Sequence, residues 1–156
     1  LLLERCNSEE SGLNIKDEYG TTPFMVACYE GHKDVVKLLL DHSETIDLNA
    51  KNIWEFTAFM MACQGGRRDV VKLLLDHSER IELNARKHFS GFTAFMWACI
   101  NGHKDVVQLL LDNSEIIELN AKDNDGKTAF VLACQGGRRD VVKLLLETEN
   151  VDITTL

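Results

Sequence analysis

Residues 22–40 read Thr-Pro-Phe-Met-Val-Ala-Cys-Tyr-Glu-Gly-His-Lys-Asp-Val-Val-Lys-Leu-Leu-Leu, and similar stretches begin at residues 57, 93 and 128. The spacings between the four starts are 35, 36 and 35 residues. A fixed period in this range is typical of repeat proteins, in which each unit buries its apolar face against its neighbours. Such arrays need about three units for stability, and this sequence has four.

The repeated stretch predicts two short helices joined by a turn. Its threonine is a good N-cap, because the hydroxyl accepts a hydrogen bond from a backbone N–H that has no helical partner. The glycine after the apolar run, at residues 31, 66, 102 and 137, suits the left-handed conformation that ends a helix. The second helix, from about Lys33 to Asp41, has almost no polar face, so we expect it to be buried on several sides.

Residues 17–40 follow the pattern D-x-x-G-x-T-P-L-H-x-A-x-x-x-G-H-x-x-V-V-x-L-L-L except where Phe24 and Met25 replace its Leu and His, and three more copies follow in register. On these residues the chain resembles ankyrin-repeat proteins. The resemblance implies an all-α solenoid of stacked helix-turn-helix units with hairpin-like finger loops. We predict a single domain, 1–156, with 1–16 as the tail of a preceding repeat and with repeats at about 17–51, 52–86, 87–122 and 123–156.

The sequence departs from the family pattern at positions that affect folding. The period is 35–36 residues instead of 33, and no glycine follows the second helix. Glu55 occupies a finger position that the other repeats fill with glycine. If that position needs a positive φ, glutamate costs about 1–2 kcal/mol, and we expect the second finger to turn differently. Apolar side chains replace the histidine of the T-P-L-H motif, which predicts apolar packing there: Met25, Met60, Met96 and Val131.

The overall composition argues against several classes of function. With 17 Lys and Arg against 25 Asp and Glu, the net charge is −8. Binding to nucleic acid or to an anionic membrane surface depends on basic patches, so we expect neither. No apolar run approaches the ~18 residues of a membrane helix, and we predict no membrane insertion. The 5 cysteines, an odd number, fit a reducing compartment, cytoplasmic or nuclear.

Two Cys–His pairs, Cys28 with His32 and Cys99 with His103, are the best candidates for catalysis or metal binding. Residues four apart on one helix can share a metal or form a nucleophile–base pair. A glycine interrupts the helix within each pair, however, and no further Cys or His lies at metal-ligand spacing. We therefore predict no enzyme activity, metal or cofactor. The aligned cysteines are interpreted as small buried residues without disulfides, and only Cys6 is expected to be exposed: Cys28, Cys63, Cys99 and Cys134.

Two other repeated features each allow a functional and a structural interpretation. Asn49, Asn84 and Asn120 follow an acidic and an apolar residue, as asparagines that are hydroxylated in the family do. The structural alternative is that they hydrogen-bond the loop backbone. The turn between the helices carries basic residues, which form either an anion-binding track or, as the net charge favours, a solvated face: Lys33, Arg67, Arg68, Lys104, Arg138 and Arg139.

Positions that differ between repeats indicate where a partner binds. A repetitive scaffold fixes its core positions alike, so unlike residues mark surfaces that are free to specialise. The resemblance implies that finger tips and first helices line a concave face that binds proteins. We predict that another protein binds there, with Trp54 and Phe89 as exposed anchors, although Phe56, Phe92 and Trp97 could instead pack between repeats. The predicted binding residues are Tyr19, Tyr29, Ile53, Trp54, Phe56, Phe89, Phe92, Trp97 and Ile100.

Two alternatives to a dedicated binding module remain at this point: an enzyme, supported only by the Cys–His pairs, and an elastic spacer within a longer array. The last repeat ends Val141-Val142-Lys143-Leu144-Leu145-Leu146, as apolar as the internal ones, although solenoids need polar capping repeats for solubility. We therefore expect the native protein to continue beyond at least one end, and this chain to fray there or to self-associate through its uncapped ends.

Overall fold

The computed structural model describes residues 12–42 and 44–154, and within them it contains eight α-helices, one short 3-10 turn at Gly12–Asn14 and no β-strand. The first helices of the four repeats are α1 (Pro23–Glu30), α3 (Ala58–Gln64), α5 (Ala94–Ile100) and α7 (Ala129–Gln135). The second helices are α2 (Lys33–Asp41), α4 (Arg68–Leu75), α6 (Lys104–Leu111) and α8 (Arg139–Leu146).

The helices stack in two rows that follow the order of the chain. α1 packs on α3, α3 on α5 and α5 on α7, while α2, α4, α6 and α8 form the second row. Each second helix also packs on the first helix of its own repeat. One continuous apolar core runs between the rows. The all-α solenoid that the family resemblance implied is confirmed.

The caps that the sequence predicted are present in all four repeats. Each threonine hydroxyl accepts the N–H of the residue three positions later, at 3.2–3.4 Å: Thr22, Thr57, Thr93 and Thr128. The four turn glycines have positive φ, between 65° and 79°. The threonine caps satisfy N–H groups at the start of each first helix, and the glycines let the chain reverse after it. A first helix of only seven or eight residues is therefore long enough.

Histidine, asparagine and threonine side chains end the second helices, where the family has glycine. The ring of His42 donates from Nδ1 to the Leu38 carbonyl at 2.9 Å, and His77 does the same to Leu73. Asn113 donates to the Leu109 carbonyl at 2.8 Å, and Thr148 occupies the fourth equivalent position. These bonds satisfy carbonyl groups that the last helical turn leaves without a partner, so no glycine stop is needed.

Asparagine side chains tie each repeat to the next. Asn49 donates from Nδ2 to the Arg80 carbonyl at 2.9 Å and accepts the Glu82 N–H on Oδ1 at 2.8 Å. Asn84 bonds the third repeat in the same way, through Ile116 and Glu118. The equivalent bonds of Asn14 and Asn120 extend the series in both directions. The loop-bonding interpretation of these asparagines is confirmed, and Asn14 acts as the same residue of a preceding unit.

The basic residues in the turn between the helices do not all face only solvent. Arg67 donates from Nε to the carbonyl of Tyr29 at 2.8 Å, and Arg138 donates to the carbonyl of Ile100 at 2.7 Å. His103 holds the carbonyl of Gln64 at 2.6 Å in the same way. Each bond satisfies a carbonyl group at the C-terminal end of the preceding repeat's first helix. Arg67, His103 and Arg138 therefore also stabilise the contacts between repeats.

The second finger does not turn differently, contrary to the expectation for Glu55. Its φ is 63°, and its N–H donates to the Asn52 carbonyl at 2.9 Å, as the N–H of Gly20 does to Asp17. Glu55 keeps the glycine conformation despite the strain, and its Oε2 accepts the N–H of His88 at 2.6 Å. A carboxylate that braces the next finger offsets part of the backbone cost.

Alanine at Gly91 should destabilise the protein more than alanine at Gly126. Both residues have positive φ, 73° and 81°, where a Cβ costs about 1–2 kcal/mol. A Cβ at Gly91 would lie 2.7 Å from the backbone nitrogen of Asn124, whereas one at Gly126 meets nothing within 4 Å. Separating the two fingers would break the bond from Asn124 N–H to Ser90, which adds about 1 kcal/mol. Urea unfolding measures both losses, and equal values would contradict this contact between fingers.

Burial of the second helices differs between internal and terminal repeats. α4 and α6 each bury two valines and two leucines, as predicted. Val35 and Leu38 on α2 are 47% and 56% exposed, and Leu146 on α8 is 54% exposed. The expectation of burial on several sides is therefore wrong for the two terminal helices. Among the described residues, each of them has a neighbouring second helix on one side only.

The cysteine prediction is correct for three positions and wrong for one. Cys28, Cys63 and Cys99 are fully buried and free, because the first helix of the next repeat covers each of them. Cys134 is free but exposed, because within the described residues no further first helix packs on α7. Burial raises the pKa of the Cys28, Cys63 and Cys99 thiols well above its ordinary range. Cys6 lies outside the described residues.

Cys134 should be the one fast-reacting thiol among the four described cysteines. In a Cys6→Ser background, a thiol reagent should label one site at once and the other three only after denaturation. A second fast-reacting cysteine would contradict the burial of Cys28, Cys63 and Cys99. The raised pKa values also predict a pH effect: stability is unaffected below the ordinary thiol pKa of about 8.5 and falls above it, because the unfolded chain ionises first.

Candidate protein-binding surface

Backbone hydrogen bonds join the fingers of successive repeats edge to edge. The N–H of Ile53 donates to the Tyr19 carbonyl at 2.9 Å, and the N–H of Asn124 donates to Ser90 at 3.0 Å. The bond from His88 N–H to Glu55 joins the second and third fingers. The four fingers, 17–21, 52–56, 87–92 and 123–127, therefore present their tips in one row, which we call the finger surface.

Three exposed aromatic rings mark the first three fingers. Tyr19 and Trp54 stack on each other with ring centroids 5.2 Å apart, and they remain 44% and 51% exposed. Phe89 is 88% exposed. Among the aromatic rings of the described residues, it contacts that of His88, in a T-shaped arrangement. Ile53 extends this apolar area and is 62% exposed. The predicted exposure of Trp54 and Phe89 is confirmed.

Phe56, Phe92 and Trp97 form a second aromatic group, which is partly buried. The ring of Trp97, on α5, lies 5.1 Å from that of Phe56 on the second finger and 5.1 Å from that of Phe92 on the third. The alternative interpretation, packing between neighbouring repeats, is thus confirmed for Phe56 and Trp97, whereas the contact of Phe92 with Trp97 lies within the third repeat. Tyr29 on α1 remains 40% exposed, whereas Ile100 on α5 is half-buried against the core.

Lys87 is the residue of this surface that the sequence analysis did not single out. At the equivalent position of the other fingers, Asp17, Asn52 and Asp123 each accept two backbone N–H groups on one side-chain oxygen and so brace the turn. Lysine has no acceptor, so the third finger lacks this brace. The signal was available in the sequence as one basic residue aligned with three Asx residues.

The side chain of Lys87 lies over the second aromatic group. Its Nζ is 4.0 Å from the ring centroid of Phe56 and 5.4 Å from that of Trp97. Partial burial lowers the pKa of Lys87, and the nearby charge of Glu55 opposes that shift. The indole Nε1–H of Trp97 is buried within this group and has no hydrogen-bond acceptor. The four residues Phe56, Lys87, Phe92 and Trp97 are called the Lys87 cluster below.

A family model for ankyrin repeats, in three copies, matches residues 1–87 and 81–155. The chain belongs to the ankyrin-repeat family. Ankyrin repeats are in general protein–protein interaction modules, and the family is a non-enzymatic interaction fold. A comparison with curated proteins found no match.

In the second Cys–His pair of this ankyrin-repeat chain, the histidine bonds a backbone carbonyl and not the cysteine. Cys99 is buried with a raised pKa, while His103 hydrogen-bonds the Gln64 carbonyl of the preceding repeat. Across residues 12–42 and 44–154, no three His, Cys, Asp or Glu side chains come together as a metal site would require. Within the same residues, no helix is both long and apolar enough to cross a membrane.

Proposed function

We propose that this ankyrin-repeat chain binds another protein through the finger surface and the first helices of repeats one to three, with Trp54 and Phe89 as anchors. The observation that carries the proposal is the exposure of aromatic rings on adjacent fingers, with Phe89 at 88% and Trp54 at 51%. Large aromatic side chains dominate the energetics of protein interfaces. A contiguous exposed apolar area is also a typical mark of a binding site.

The surrounding residues fit the anatomy of a protein interface. Tyr19 and Ile53 are exposed on the first two fingers, Tyr29 is exposed on α1, and the half-buried Ile100 lies on α5, as does Trp97 of the Lys87 cluster. Interface cores are enriched in aromatic residues, and their rims are polar. The tips are held in place by the bonds between fingers, so little order has to be gained on binding.

The experiment that tests this proposal is site-specific photo-crosslinking. A photoreactive phenylalanine analogue at Phe89 should give one discrete adduct from an extract, identifiable by mass spectrometry. The same analogue at Ile116, a 37% exposed residue in the loop after α6, should give none. Equal labelling from both positions, or no adduct from Phe89, would contradict the proposed surface.

An elastic spacer remains the alternative to a dedicated binding module, and the aromatic fingers speak against it. A spacer needs no exposed rings, yet Trp54 and Phe89 occupy only the middle fingers. Self-association through the terminal repeats also stays a proposal, supported by the exposed Leu146 and Cys134. The division into one domain with four repeats is likewise a proposal, supported by one helix pair in each segment.

The proposal also covers what the chain does not do and where it acts. We assign it no catalytic function, on the grounds of the family's interaction fold and the bond of His103 to a backbone carbonyl. Nucleic acid is an unsuitable partner for a chain of net charge −8. A reducing compartment, cytoplasmic or nuclear, is supported by the free state of Cys28, Cys63, Cys99 and Cys134.

A further inference from the structure

The Lys87 cluster contains two side-chain donors that have no acceptor among the described residues, and one of them, the indole N–H of Trp97, is buried. The Nε1–H of Trp97 is buried without an acceptor, and a buried donor left unpaired costs about as much as a lost hydrogen bond. The ammonium group of Lys87 is partly desolvated over Phe56, and no carboxylate of the described residues lies within ion-pair distance of it. Glu55, the nearest acidic influence, already accepts the N–H of His88.

Both donors call for the same kind of group. An indole N–H and an ammonium are donors only, so an acceptor would satisfy both, and a negatively charged acceptor would satisfy the ammonium best. A cation would instead have to displace Lys87 from the rings and would leave the Trp97 N–H unpaired. The two donors belong to one site, because Lys87 Nζ lies 5.4 Å from the Trp97 ring centroid.

The segments 51–56 and 86–92, which contain the two middle fingers, together differ in the sign of their charge from the whole chain. Lys51, Arg86 and Lys87 flank the second and third fingers, and Glu55 is the single acidic residue in 51–56 and 86–92. The net charge of these two segments is therefore positive, in a chain of net charge −8. The exposed side chains of Trp54 and Phe89 belong to these same two segments. A partner segment that is acidic and apolar is complementary to them.

The turn of the third finger is also braced differently from the other three. Its first residue is Lys87, so it lacks the Asx brace that holds two N–H groups in each of the other fingers. Only a 3.3 Å contact from Phe92 N–H to the Ser90 hydroxyl takes its place. The Lys87 side chain takes no part in bracing its own turn, so it can change position without breaking a turn hydrogen bond.

Building on the proposed function, we infer that the Lys87 cluster is a subsite for a carboxylate of the partner, an Asp or Glu side chain set among apolar residues. The carboxylate accepts from Lys87 and from the Nε1–H of Trp97. The neighbouring apolar side chains of the partner contact Trp54 and Phe89. The cluster thus selects acidic-apolar segments, while the exposed rings supply most of the contact area.

Selection from a random peptide library on the whole chain tests this inference. Enriched peptides should carry an acidic residue beside aromatic or aliphatic ones. Replacing that residue with its amide should weaken binding about tenfold or more, since hydrogen bonds to charged groups are the strong ones. The acidic peptide should also move the indole proton signal of Trp97 downfield, and Trp54→Phe identifies which of the two indole signals belongs to Trp97.

Matched variants assign the effect to the cluster. Lys87→Met should abolish the preference for the acid over the amide, whereas Lys122→Met, the same change just before the fourth finger, should keep it. Trp97→Phe, which retains an apolar ring but removes the N–H, should reduce the preference. Peptides that need Trp54 and Phe89 but show no acid preference would overturn the carboxylate subsite and leave the proposed function standing. Binding that is indifferent to Trp54 and Phe89 would overturn both.

Discussion

Trp54→Ala and Phe89→Ala should each weaken partner binding about thirtyfold or more and leave thermal stability nearly unchanged. Truncating an aromatic hot spot costs ~2 kcal/mol or more, and 1.4 kcal/mol is a factor of ten in affinity. The two rings are 51% and 88% exposed, so the folded chain loses little packing without them. Isothermal titration against the protein captured through position 89, together with a melting curve for each variant, measures both quantities.

Ile116→Ala is the matched control for the two aromatic variants. It removes an exposed apolar side chain from the loop after α6, outside the finger surface. It should not change affinity. If Trp54→Ala and Phe89→Ala keep full affinity, the finger surface is not the interface. If either variant unfolds instead, its ring contributes to packing in a way that its exposure does not indicate. Because Tyr19 stacks on Trp54, we expect Trp54→Ala to lose more packing than Phe89→Ala.

Phe95→Ala should have the largest effect on stability, about 3–5 kcal/mol. Phe95 lies in the first turn of α5 and is only 2% exposed. Deleting the side chain of a fully buried phenylalanine loses its transfer free energy and leaves a cavity. Each first helix packs mainly on the next one, so this change loosens the middle of the stack. We expect a lower midpoint in urea and a broader transition, because the two ends can then unfold separately.

Phe130→Ala, at the equivalent position of α7, is the internal comparison. Phe130 is only partly buried, since among the described residues α7 has a stacked first helix on one side only. The same substitution should therefore cost clearly less there. Equal losses at Phe95 and Phe130 would show that the stability of the array does not depend on contacts with both neighbours, contrary to the one-dimensional packing described above.

Much of the fold follows from the sequence because its determinants are local or periodic. A threonine before an apolar run and a glycine after it place the helix ends, whatever lies around them. The period of 35–36 residues then forces like units to stack, since none can bury its apolar face alone. The exposure of Trp54 and Phe89 followed from their place at finger tips, where the scaffold has no core to offer them.

The sequence alone could not decide burial and side-chain partners, because these depend on which residues of adjacent repeats become neighbours in space. Cys134 has the same local sequence as Cys63, yet only the packing of α5 on α3 buries Cys63. Glu55 looked incompatible with its turn, but the bond to His88 of the next finger helps to hold it there. The Lys87 cluster joins residues of two fingers and a helix, 56, 87, 92 and 97, whose approach depends on the stacking distance between repeats. Local sequence fixes where each unit turns, whereas burial and side-chain partnership depend on which surface the adjacent unit presents, and that is a property of the assembled stack.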